Sequence, residues 1–228
     1  MAVGVRIFVP LTVMKGWPLI VSYPLFVWAP VVLLLAGVFF CFFRDPDHPS
    51  FGDRFRFRRI SGRTWLWIVG GFVGIQALEL FASPTRRLLA ALPVFSPPPF
   101  TPQLFDPFFS IERGLTHLFG VPLAGNWWLV GFWLLWLAVN IGGEEILWRG
   151  YALPLQERVF GRHAWLVNGV LWNLLVHAFM PWGYLTLLPV SLILPYLVQR
   201  HGNSWIGVFI HGIGNLLVLV VMIPEIAA

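Results

Sequence analysis

Charge is what this chain has least of. Of its 228 residues only 11% are Asp, Glu, Lys or Arg, against about 25% in an ordinary soluble domain. That shortage excludes a water-soluble globule, because too few charged side chains exist to cover its surface. Lysine is nearly missing: Lys15 is the one lysine beside 14 arginines. Cysteine is also reduced to one, Cys41, inside an apolar run. An internal disulfide and a Cys-based metal site are therefore both excluded, and Cys41 reads as a small hydrophobe. No repeat of 20–50 residues is visible, so nothing suggests a duplicated, transporter-like site.

What the chain does have is hydrophobic length. It is 58% hydrophobic and contains 13 Trp and 21 Phe, a composition suited to hydrocarbon and to the lipid interface, where amphipathic rings gather. The expected fold class is all-α, a polytopic transmembrane helical bundle. Stretches of the length needed to cross a bilayer occur at about 17–43, 64–82, 127–148, 163–180, 183–200 and 203–223, giving six expected spans. The first runs on past Trp17 with no small-residue cleavage site, so it reads as a membrane helix rather than a signal peptide.

The net charge of +5 follows topology better than it follows a nucleic-acid partner, because the arginines flank the apolar spans. The segment 44–63 interleaves Arg54, Arg56, Arg58 and Arg59 with Phe55 and Phe57, and reads as a positive-inside loop at the headgroup zone. Placing that loop in the cytoplasm puts ten basic residues inside and leaves five, Arg6, Lys15, Arg86, Arg87 and Arg113, outside. The opposite orientation inverts the ratio. Residues 83–126 are broken by Pro84, Pro93, Pro97, Pro98, Pro99, Pro102 and Pro107, which forbid one continuous helix. An irregular or partly re-entrant connection is expected there, dividing the chain into an N-terminal part, 1–126, and a C-terminal helical core, 127–228.

Ionisable groups inside apolar spans are costly and mark functional interiors. Three clusters stand out. Glu145 and Arg149 are four apart and share a helix face, while Glu144 points about 100° away, so one carboxylate pairs with Arg149 and the other stays free. Asn173 and His177, and then His211 and Asn215, are likewise four apart, the latter pair among Gly207, Gly212 and Gly214, which permit close helix packing. A carboxylate, two imidazoles and an amide on different apolar helices suit activation of a water and stabilisation of an oxyanion. Glu144, His177 and His211 equally suit a divalent metal such as zinc, and spacing does not separate the two. Glu79 is a further intramembrane carboxylate, expected to serve a local hydrogen bond. His48, His117, His163 and His201 fall at span ends or loops.

These residues resemble the CPBP family of intramembrane endopeptidases, the ABI or CAAX-protease-like family that includes the Ras-converting CAAX prenyl endopeptidase. Its EExxxR motif is matched by Glu144-Glu145-Ile146-Leu147-Trp148-Arg149, followed by Gly150-Tyr151-Ala152-Leu153-Pro154, and its HxxxN motif by His211 through Asn215. The FxxxH motif is matched only at His177, because Asn173 stands at the Phe position with Trp172 before it. The resemblance implies that Glu144 activates the attacking water with His177, and that His211 and Asn215 stabilise the oxyanion. It also implies that Glu145 and Arg149 hold the first motif, with Asn173 adding a hydrogen bond beside His177. No cofactor is expected, although zinc fits the alternative account. The expected partners are membrane lipids and a membrane-associated protein or peptide substrate, in the cytoplasmic membrane of a prokaryote. Two other functions remain open on the sequence: a non-proteolytic interaction or immunity protein, and a transporter or proton relay.

Overall fold

The computed structural model describes residues 1–47, 49–110 and 114–228; His48 and Arg113 lie outside the described residues. An apolar N-terminal helix, Gly4–Met14, precedes α1, Leu19–Phe43, and α2, Gly62–Ala82. A long helical run over 128–160 forms α3, followed by α4, Ala164–Val176, α5, Leu188–His201, α6, Trp205–Leu216, and α7, Val218–Ala227. Capping fixes several ends. Ser61 and Thr64 form a reciprocal capping box at the start of α2, satisfying amides that the first turn leaves without partners. Gly161, at φ 53°, ends α3, and Gly202, at φ 57°, ends α5, using backbone conformations that cost a glycine little.

Among the described residues four helical stretches are long and apolar enough to cross a membrane: Leu19–Phe43, Gly62–Ala82, Trp128–Phe179 and Trp205–Ala227. The protein is a helical, integral membrane protein, but helix lengths do not reproduce the expected six spans. The stretches 127–148 and 163–180 belong to one helical run of 52 residues that reverses at Gly161. The stretch 183–200 becomes a helix only from Leu188, because 3-10 turns at His177–Phe179 and Pro181–Gly183 use up the chain before it. Its 14 residues extend about 21 Å, short of the ~30 Å hydrocarbon core.

The Pro-rich 83–126 segment is irregular, as its prolines require, yet it does more than connect. It forms a helix at Pro84–Ala90, and its later part buries Leu115, Leu118, Phe119 and Leu123 completely or nearly so. A two-residue hairpin pairs His117–Leu118 with Val121–Pro122 around Phe119 and Gly120, both at positive φ, as a primed hairpin turn requires. A bulky aromatic is unfavourable in that conformation; packing of Phe119 on Trp136 at 4.8 Å and Tyr23 at 5.5 Å offsets it. One core cluster accordingly joins Val5, Tyr23, Phe119, Trp133 and Met222, drawing on both sides of residue 126.

The Arg-rich 44–63 segment is anchored as well as basic. Phe55 is fully buried against Gly150 of α3, its carbonyl accepts from the Ser204 hydroxyl at 2.7 Å, and Arg56 makes a bidentate pair with Glu157 at 2.7 and 2.6 Å. Close approaches elsewhere set the interior. A Cβ on Gly143 meets Val31 and Leu35 of α1 at 2.9 Å, so glycine there lets α1 press against α3 beside Glu144.

Candidate active site

The middle of α3 departs from α-helical geometry immediately around the acidic motif. Wider π turns run through Ala138–Gly142 and Glu145–Ala152, a feature often found at functional sites. Positions four apart drift around an unbroken α-helix of 3.6 residues per turn. The π turns take up this drift, so Trp136, Asn140 and Glu144 all face one cavity.

That cavity has a volume of about 220 Å³. Glu144, His177, His211 and Asn215 line it together, brought in by α3, the end of α4 and α6. Phe105 closes part of the wall from the Pro-rich segment, and its carbonyl accepts from the Trp182 indole at 3.1 Å.

Beneath the cavity lies a buried ionic layer. Glu145 and Arg149 are both fully buried, with Arg149 Nη1 3.5 Å from Glu145 Oε1. His211 Nδ1 lies 3.1 Å from the same Glu145 oxygen. An ionised carboxylate only accepts, so His211 Nδ1 carries the proton of this bond. Its Nε2 is then free either to take a proton as neutral imidazole or to donate as imidazolium.

Trp172 holds this layer and the cavity together. Its indole N–H donates to Glu144 Oε2 at 2.8 Å, while the Arg149 guanidinium lies over its ring at 3.9 Å from the centroid. His177 and His211 meet the same indole edge-on, with centroids at 4.8 and 5.3 Å. One ring therefore fixes a carboxylate by hydrogen bond, a guanidinium by cation–π attraction and two imidazoles by edge contact. Glu144, 2% exposed, keeps one oxygen that accepts no protein hydrogen bond among the described residues. Asn215 donates one N–H to the His211 carbonyl at 3.0 Å, leaving its second amide hydrogen for another acceptor.

Asn173 behaves differently from the expectation. It neither lines the cavity nor bonds beside His177; its amide donates to the Tyr184 carbonyl at 2.9 Å and ties down the turn after α4. The backbone still relates the two residues, since the His177 N–H donates to the Asn173 carbonyl; it is the Asn173 side chain that turns away, to the Tyr184 carbonyl in the turn that follows. Glu79 has the expected local bond, from Gln76 Nε2 at 3.1 Å, and also lines the cavity, as Gln76 and Asn140 do. Asn140 was within reach of the pattern, four residues before Glu144; Trp172, in an apolar helix rich in large residues, carried no such signal.

Among the described residues no three His, Cys, Asp or Glu side chains are placed to hold a metal ion. Glu144, His177 and His211, the alternative zinc set, share the cavity wall without forming such a group.

Gly207 is the tight point of α6. A Cβ there runs into Glu145 Oε2, and that carboxylate has little room to yield because its other oxygen is held by Arg149 and His211. Gly207→Ala is expected to lower stability by roughly 1–3 kcal/mol, the usual cost of overpacking, read as earlier thermal unfolding in detergent. Gly212→Ala on the same helix meets nothing within 4 Å and serves as the control that should melt like the wild type.

No curated protein and no solved structure matches the chain. Residues 126–217 match the family model described as type II CAAX prenyl endopeptidase Rce1-like. The match covers α3, α4, α5 and α6 whole. Over these residues the C-terminal helices are thus similar to the CAAX-protease-like, Rce1-like endopeptidase family.

Proposed function

We propose that the protein is an intramembrane endopeptidase that hydrolyses a peptide bond of a membrane-associated protein or peptide by glutamate-activated water. The observation that carries this reading is the convergence of Glu144, His177, His211 and Asn215 on one cavity, with Glu144 held by one oxygen only. Its free oxygen takes a proton from water as the water attacks the scissile carbonyl, and His177 on the same wall shares that proton. His211 Nε2, as imidazolium beside Glu145, and the spare Asn215 N–H donate to the developing oxyanion. The proton then passes to the leaving amine as the C–N bond breaks. Glu145 and Arg149 act as positioning residues, orienting His211 and neutralising the buried layer. The Arg-rich 44–63 segment is assigned to the cytoplasmic side, where anionic lipid attracts it.

The direct test compares new peptide termini in membranes containing wild-type protein or Glu144→Gln at matched amounts. Termini present only with wild type support hydrolysis and begin to name the substrate. Identical sets, under conditions where the protein has its cellular effect, would overturn the reading in favour of a non-hydrolytic interaction protein.

A further inference from the structure

Away from the active site, the seam between α2 and α5 holds two adjoining cavities. At the end where α2 starts and α5 finishes, a pocket of about 410 Å³ is walled by Arg58, Arg59, Arg63 and Arg200, with Ser61 and His201. Deeper along the same helices is a groove of about 630 Å³, walled by apolar side chains of both helices and by Gly70, Gly71 and Gly74. Arg63 and Trp67 border both cavities.

The glycines explain the groove. A Cβ on Gly71 meets Leu197 at 2.6 Å, so its absence lets α2 and α5 close at the floor; Gly70 and Gly74 have nothing within 4 Å of a Cβ, so the outer groove stays open. Its borders, Leu66, Trp67 and Tyr196, are exposed, and on a membrane helix that exposure is to hydrocarbon.

The charge pattern is equally selective. Arg54 and Arg56 of the same basic segment pair with Asp45 and Glu157. Arg58, Arg59, Arg63 and Arg200 have no acidic partner within ion-pair distance among the described residues. Four like charges gathered in one pocket repel one another unless an anion joins them, and the positive end of the long α2 helix adds to the same field. Depth identifies the kind of anion. From Arg63 to Gly74 the helix rises about 16 Å at 1.5 Å per residue, which matches one leaflet, half of a ~30 Å hydrocarbon core.

We propose that the α2–α5 seam binds an anionic diacyl phospholipid, its phosphate in the four-arginine pocket and one acyl chain along the glycine-lined groove. The site is separate from the catalytic cavity, and the inference does not depend on hydrolysis.

The test uses full-length, delipidated protein in detergent. It is titrated with dioleoylphosphatidylglycerol or dioleoylphosphatidylcholine, and bound lipid is counted by native mass spectrometry. Wild type should prefer the glycerol headgroup lipid by about tenfold or more, from the combined attraction of several arginines. Arg63→Gln with Arg200→Gln should erase that preference, while Gly70→Leu with Gly74→Leu should weaken both lipids. Excess glycerol phosphate should displace neither. Equal binding of the two lipids by wild type would overturn the proposal, as would full retention of the preference by the arginine variant. Displacement by glycerol phosphate, or unchanged binding in the leucine variant, would overturn it in favour of a soluble-anion pocket. Arg58→Gln with Arg59→Gln replaces the first arginine variant if that one does not match the wild-type melting profile.

Discussion

Glu144→Gln protein should reach the membrane in wild-type amounts, unfold at the wild-type temperature, and cleave about 10²–10⁴-fold more slowly, the usual span for loss of a general base. The substitution is chosen because the amide oxygen of Gln still accepts the Trp172 indole N–H that Glu144 Oε2 now takes at 2.8 Å. The buried indole keeps its partner and the cavity keeps its volume. What disappears is the ability of the second oxygen to take a proton from water. Glu144→Ala is less informative, because it strands a buried N–H at a cost of about 1–3 kcal/mol and mixes folding with chemistry. Single-turnover cleavage of an identified substrate, beside a melting curve of the same preparation, separates the two. Wild-type cleavage by a stable Glu144→Gln protein would remove Glu144 from the reaction.

Arg149→Met should be the most damaging single change to stability. Arg149 and Glu145 are both fully buried, and the buried Glu144 carboxylate lies just above their layer, in the cavity wall. Removing one member of a buried pair leaves the other charge without compensation, typically costing 3–5 kcal/mol, roughly. The stacked face of Trp172 also loses the guanidinium at 3.9 Å. Adding Glu145→Gln to Arg149→Met should recover part of the loss, since the unpaired carboxylate goes with it. Denaturation midpoints in detergent for the two single variants and the double variant give the coupling directly. Additive losses would mean that the pair contributes nothing beyond its separate contacts.

How far the sequence could be read depended on whether helical periodicity still applied. Glu145 and Arg149 were legible as partners because residues four apart stay on one side of the helix even through the π turns of Glu145–Ala152, and His211 with Asn215 because α6 is regular from Trp205 to Leu216. Asn173 misled because the chain folds back after α4 and brings the Tyr184 carbonyl to its amide, a partner that spacing within the helix does not register. Trp172 was invisible for another reason: a tryptophan in a lipid-facing chain is expected anyway, and only the fold reveals that this one carries a hydrogen bond to Glu144. At the expected span 183–200 a 3-10 segment shortens α5 to 14 residues, a length that hydropathy alone does not register. The inward packing of Phe105 and Phe119 was similarly hidden, since proline content predicts irregular backbone without saying which aromatics that backbone buries.

The burial of Glu144 has a consequence for what can be cut. An α-helix holds each backbone carbonyl in a hydrogen bond inside a cylinder 10–12 Å wide, whereas Glu144 is 2% exposed in the cavity wall. On the proposed reaction, a membrane-spanning substrate brings a carbonyl to Glu144 by unwinding locally into a short extended segment. Selectivity would then reside less in the residues bordering the cut than in how readily the surrounding helix melts, so glycine or proline near the scissile bond would act as an address.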